Sequence, residues 1–192
     1  MKKSLAAIAV AVIALIPGIA QADILVNAQE SGGDVVFSFS GSVNLSGLGV
    51  PTGTGGSVSA IRPNLGLFIF SSVSSDLLDT WTPYSFPSFG LGGLHLADSA
   101  SVPTGFGYVS TPNRLVIEDG YVSGSLIGGS MTFDDETFAS LGIAPGTYAA
   151  SLPTDTVTLV IGPAQLPEPA SLALLALGLA GIGYSRRKRN PA

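Results

Sequence analysis

The stretch Val35-Val36-Phe37-Ser38-Phe39-Ser40-Gly41-Ser42-Val43-Asn44-Leu45 alternates residue by residue. Val35, Phe37, Phe39, Gly41, Val43 and Leu45 fall on one face. Val36, Ser38, Ser40, Ser42 and Asn44 fall on the other. An apolar face backed by a hydroxyl-rich face at period 2 describes a half-buried antiparallel strand. Working outward, Ile24, Val26 and Ala28 form a short preceding strand, with Ser31-Gly32-Gly33 as the turn between them. Leu65 to Phe70 is a continuous apolar run bounded by Pro63-Asn64 and by serines, which reads as a central strand buried on both faces. Phe106–Ser110, Leu115–Ile117, Tyr121–Ile127, Ser130–Phe133 and Thr156–Ile161 bring the set to about eight. Glu118-Asp119-Gly120, Gly128-Gly129 and Pro145-Gly146 supply turn signals between them.

One short helix is expected, from about Asp135 to Leu141. Asp134 would be its N-cap, acidic residues fill its first turn, and Gly142 ends it. Gly47 to Ser59 is rich in Gly, Ser and Thr and reads as an exposed loop. Trp81 to Gly93 reads as a second. Many short strands separated by Gly/Pro turns predict a mainly β chain, with a single β-sandwich or jelly-roll-like ectodomain over residues 23–165.

Composition sharpens the class. The chain has 192 residues, 46% hydrophobic and 11% charged, against about 25% charged in an average soluble domain. The apolar excess therefore needs a location, and it lies at the two ends. Formal net charge is −5, which excludes nucleic acid as an expected partner. There is no Cys, so disulfides, thiolate nucleophiles and Cys-ligated metals are excluded. A single His, His95, rules out a multi-His metal site. No metal and no other cofactor is expected.

The N-terminal end reads Met1-Lys2-Lys3, then an almost wholly Ala, Ile, Val and Leu run from Ser4 to Ile16, then Pro17-Gly18. Ala20-Gln21-Ala22 follows, before Asp23. A positive start, an apolar segment and an A-x-A site, in that order, read as a secretory signal peptide over residues 1–22. Signal peptidase would cut after Ala22, with Ala20 and Ala22 as the small residues, and the mature chain would start at Asp23.

Towards the other end, Pro167-Glu168-Pro169 precedes an apolar run from Ser171 to Tyr184, and then the basic cluster Arg186, Arg187, Lys188 and Arg189. Pro169 suits the first turn of a helix and Glu168 complements its dipole. A helix over about residues 169–185 would span roughly 25 Å at 1.5 Å per residue. That is somewhat short of the ~30 Å hydrocarbon core, a marginal but usable span, with the basic cluster halting transfer on the cytoplasmic side. Export from one end and arrest at the other leave the middle outside the cytoplasm, anchored by the helix.

The triplet, the apolar helix and the Arg-rich tail, in this order over residues 166–192, resemble the PEP-CTERM protein-sorting domain. The resemblance implies sorting by exosortase, an integral-membrane enzyme of Gram-negative bacteria. That enzyme would recognise Pro167, Glu168 and Pro169 and remove the helix and tail. It also implies an association with exopolysaccharide and biofilm production. The sortase pattern LPxTG does not fit, because Pro169 and Ala170 stand where Thr and Gly are required. The segment from Thr132 to Tyr148, followed by Asp155–Ile161, resembles the end of ectodomains that carry such a tail and brings no activity with it.

The middle carries little sign of chemistry. His95 and Asp98 are three apart, with Ser99 and Ser101 close by, but one loop seldom assembles nucleophile, base and orienting group. No G-x-S-x-G, G-x-G-x-x-G or P-loop occurs. Asp134-Asp135-Glu136 lacks the spacing of a Ca²⁺ loop. Trp81, Tyr84, Phe86 and Phe89 could stack on sugar rings, or could fill the end of the core. The sequence thus favours a non-enzymatic envelope or extracellular-matrix protein. A carbohydrate-binding module using the Trp81–Phe89 loop on exopolysaccharide is the alternative, and a secreted hydrolase stands behind it.

Overall fold

A computed structural model describes residues 23–71 and 77–162. The expected signal peptide, the membrane helix at 169–185 and the basic tail lie outside the described residues. Within them the chain is mainly β, with no α-helix. No helix among the described residues is long and apolar enough to cross a membrane.

Thirteen strands form two open sheets. The first has the order β12-β13-β1-β2-β11-β8. Its strands are β1 (Asp23–Ser31), β2 (Asp34–Ser42), β8 (Ser99–Ser101), β11 (Leu126–Phe133), β12 (Gly146–Ser151) and β13 (Thr156–Ile161). The second has the order β3-β6-β10-β9-β5-β4-β7. It comprises β3 (Gly53–Gly56), β4 (Ala60–Arg62), β5 (Leu67–Phe70), β6 (Leu77–Trp81), β7 (His95–Leu96), β9 (Phe106–Ser110) and β10 (Asn113–Glu118). Neighbours pair antiparallel except β1 and β13, which run parallel with Asp23 opposite Thr156 and Ala28 opposite Ile161.

The alternation in β2 sets the sidedness. Val35, Phe37 and Phe39 are buried, while Val36 and Ser38 are half-buried and Ser40 is exposed. β1 and β13 add Ile24, Val26, Ala28, Val157, Leu159 and Ile161 to the same face. The second sheet answers with Phe68, Phe70, Phe106 and Tyr108, and all of these residues join one core. Phe39 bridges the sheets directly. Its ring lies 4.5 Å from that of Phe70 and 5.6 Å from that of Phe106, centroid to centroid, within the range of favourable aromatic pairs. β5 is buried on both faces as its sequence predicts, because Ile69 packs with Leu78 and Val116 in a smaller cluster away from the main core. Gly41, opposite Ile24, has φ 146°, and a Cβ there would come within 2.0 Å of the Asp23 carbonyl oxygen. Only glycine allows β1 to lie so close.

Four expectations need correction. No helix forms over 135–141. Asp135 adopts φ 55°, which a right-handed helix cannot pass through. The local amides are instead taken by carboxylates distant in sequence: Asp134 N–H donates to Asp98, Asp135 N–H to Asp34 and Phe138 N–H to Glu30. Gly128-Gly129 is not a turn but the middle of the continuous strand β11, and Tyr121–Ser125 lies outside it. A Cβ on Gly129 would meet the Ser101 carbonyl at 2.9 Å and the Phe39 ring at 3.0 Å, so the residue gives room for β8 and for the core. Gly47–Ser59 contains the edge strand β3. It is tied to β6 by Thr80, whose hydroxyl donates to the Gly53 carbonyl at 3.0 Å. Finally, Trp81 ends strand β6 rather than opening a loop.

The main core includes an uncompensated polar atom. The Tyr108 hydroxyl is buried without a hydrogen-bond partner, and burial pushes its pKa well above the ordinary value, with Tyr84 adding to the shift. Tyr108→Phe should therefore raise the unfolding free energy by about 1 kcal/mol. Phe39→Ala should lower it by about 3–5 kcal/mol, enough to unfold a marginal domain. Denaturant melts of the two variants beside the parent check both signs.

Candidate functional site

The aromatic loop comes first, because the sequence offers it as a ligand surface. Trp81 is 3% exposed, Phe86 5% and Phe89 0%. The Trp81 indole N–H donates to the Gly49 carbonyl at 3.2 Å, pinning the chain that leads into β3. Phe86 packs with its ring centroid 4.9 Å from Phe68 and 5.3 Å from Tyr108. Phe89 lies 6.3 Å from the half-buried Tyr148. Tyr84, also half-buried, packs against the same core. Three of the four rings thus lie inside the main core and present no open face on which a sugar ring could stack.

The His95 group does not assemble. His95 lies on β7, at the edge of the seven-stranded sheet, opposite Ile61. Ser99 and Ser101 lie on β8, at the edge of the other sheet. The Asp98 carboxylate between them accepts the Asp134 amide at 2.9 Å. Among the described residues, no group of three or more His, Asp or Glu side chains is placed to hold a metal ion. A surface depression of about 280 Å³ is lined by Val58, Ser59, Leu96, Asp98 and their neighbours. Another, about 220 Å³, lies over Glu118, Asp119, Tyr121 and Leu126.

The acidic residues perform a different task, which the sequence does not signal. Asp23 Oδ1 accepts the Thr156 amide at 2.9 Å, and Asp34 Oδ1 that of Asp135 at 3.0 Å. Glu30 Oε1 accepts from Phe138 at 2.6 Å, Glu118 Oε2 from Gly105 at 2.9 Å and Asp155 Oδ2 from Asn44 at 2.7 Å. With Asp98, six carboxylates each hold a backbone N–H that no ladder satisfies, five of them across more than 30 positions of sequence. Charge-assisted bonds of this kind are about twice as strong as neutral ones. Two further acids, Asp134 and Asp79, have raised pKa values. Loss of hydration, then the nearby charges of Asp98, Asp34 and Asp135, raises the Asp134 pKa. Asp79 is raised by desolvation and then by Asp119.

The signal that does carry function lies just past the end of β13. A family model described as the PEP-CTERM protein-sorting motif matches residues 165–189. The chain carries a PEP-CTERM sorting motif. Pro167, Glu168, Pro169 and the cluster Arg186, Arg187, Lys188 and Arg189 fall within the matched stretch and outside the described residues. Ala20 and Ala22 also lie outside them, whereas Asp23 is the first residue of β1. A PEP-CTERM motif implies exosortase-type sorting of an exported protein. No curated protein and no solved structure matches the chain.

The aromatic packing has a direct optical test, since Trp81 is the sole tryptophan. Its fluorescence should be blue-shifted and resistant to iodide quenching in the folded protein, becoming red-shifted and quenchable in denaturant. Full quenching in the native state would show the indole to be on the surface.

Proposed function

We propose that this protein is a non-enzymatic passenger exported by an N-terminal signal peptide. It is held briefly in the inner membrane facing the periplasm, and is freed by exosortase for the cell envelope or the extracellular matrix. The observation that carries the reading is the PEP-CTERM motif at residues 165–189, directly after the last strand of the domain. Only four residues separate Gly162 from Pro167, a reach of at most roughly 18 Å at full extension. The β domain would therefore hang close to the membrane until it is cut free.

The charge distribution supports the same reading. Residues 1–22 carry +2 and residues 167–192 carry +3, while residues 23–166 hold twelve acids against Arg62 and Arg114, a net −10. Cutting at both ends would leave an acidic domain of sandwich or jelly-roll type, protected from self-association by its charge. In the matrix its partner would be exopolysaccharide, in keeping with the biofilm association of this sorting signal.

The triplet suits a processing enzyme. Two prolines fix φ and keep the backbone out of helix, so an enzyme can bind it extended. Glu168 offers one charge to a basic pocket. Pro167→Ala and Glu168→Ala chains, expressed beside the parent in cells that contain an exosortase, should accumulate uncut in the membrane fraction. Release of both variants as fast as the parent would remove this account.

A further inference from the structure

Asp155 is an anomaly in a domain whose carboxylates otherwise serve the backbone. It is 4% exposed. Its Oδ2 accepts the Asn44 amide, but its Oδ1 is buried with no partner. A buried carboxylate oxygen left bare costs free energy, and buried charges are ordinarily paired. Neither arginine of the described residues, Arg62 on β4 or Arg114 on β10, is among the groups that act on the Asp155 carboxylate. The groups that face Asp155 add no positive charge. They are the Thr154 hydroxyl, which hydrogen-bonds the carboxylate, the Asp23 carboxylate and the Tyr121 phenol. The Tyr121 hydroxyl is itself engaged with Val43 and Ser125. Desolvation first, and then Asp23, raise the Asp155 pKa.

The register of the parallel pair supplies the missing cation. Asp155 immediately precedes Thr156, which lies opposite Asp23, and the Asp23 side chain already reaches the Thr156 amide. The α-nitrogen of Asp23 is thus beside the Asp155–Thr156 peptide. We propose that Asp155 receives the α-ammonium group created when the leader is cut between Ala22 and Asp23. The inference rests on the export reading above. Hydrolysis adds water across that peptide bond. The hydroxyl goes to the Ala22 carbonyl carbon, a hydrogen goes to the Asp23 nitrogen, and the freed amine takes up a proton. An amide that could only donate weakly is replaced by a full positive charge beside the bare oxygen. Removal of the leader then completes the polar network at the start of β13, and the exported form is more stable than its precursor.

The test uses the full chain, exported from a Gram-negative host and purified after leader removal. N-terminal sequencing comes first: a start at Asp23 is required, and any other start overturns both the cut site and this proposal. Reductive methylation with labelled formaldehyde then lets the α-amine be titrated by NMR. A carboxylate a few ångströms away favours the charged form, so the amine should titrate about one pKa unit above its ordinary 7.7–8.0. Asp155→Asn should return it to that range, whereas Asp23→Asn should leave most of the shift in place. An ordinary pKa in the parent with Asp23 at the terminus overturns the pairing while leaving the export reading intact. Should Asp155→Asn not fold, acetylating the α-amine of the parent keeps the question open to measurement. Acetylation should lower the Tm by several degrees, and an unchanged Tm would contradict the proposal.

Discussion

The parallel pairing of β1 with β13 is the constraint on which the rest of the domain depends. Parallel strands cannot be joined by a tight turn; here the whole intervening chain is the connection. Pairing Asp23 with Thr156 through Ala28 with Ile161 ties the two extremes of the domain into the middle of one sheet. β2 and β11 then extend that sheet on one side and β12 on the other. The ends are also sent in opposite directions. The chain enters at the Asp23 end of the pair and leaves at the Ile161 end, where the Gly162 amide donates to the Ala28 carbonyl at 3.0 Å. Chain preceding Asp23 and chain following Gly162 therefore join the pair at opposite ends.

A second theme follows from the loops that this arrangement requires. Long connections between two sheets leave amides without ladder partners, and such groups cannot be buried bare. The domain answers with carboxylates. Glu30, Asp34 and Asp98 hold the 134–138 turn against the six-stranded sheet, while Glu118 and Asp155 hold the chain at Gly105 and Asn44. The acidic composition that reads as a solubility device is therefore also a structural one.

Much of the fold is legible in the sequence where side chains alternate. β2, β9 and β13 announce themselves because every second residue is apolar or the run is continuous, and β5 because nothing polar interrupts it. The strands that escape detection lack that contrast. β3 is Gly-Thr-Gly-Gly and has almost no side chain to pattern. It exists because Thr52 and Thr80 lock it onto β6, including a 2.7 Å backbone bond from Thr52 to Thr80. β12 is an edge strand with exposed and half-buried residues only. The two glycines inside β11 mimic a turn because sequence does not record that Ser101 and Phe39 need the space. The false helix at 135–141 has sound local propensity, but the carboxylates that capture its amides come from positions more than 30 residues away. Function divides in the same way. The sorting motif is legible because it is a linear signal, carried by consecutive residues. The bare oxygen of Asp155 is visible only in three dimensions.

The account describes a passenger with two detachable addresses, and the intact mass of the protein released by the producing cell tests it most directly. It predicts a single species that starts at Asp23 and ends near Pro167, without the apolar run and the Arg/Lys cluster. A released species that still carries Arg186 to Arg189, or one that retains residues 1–22, would contradict it.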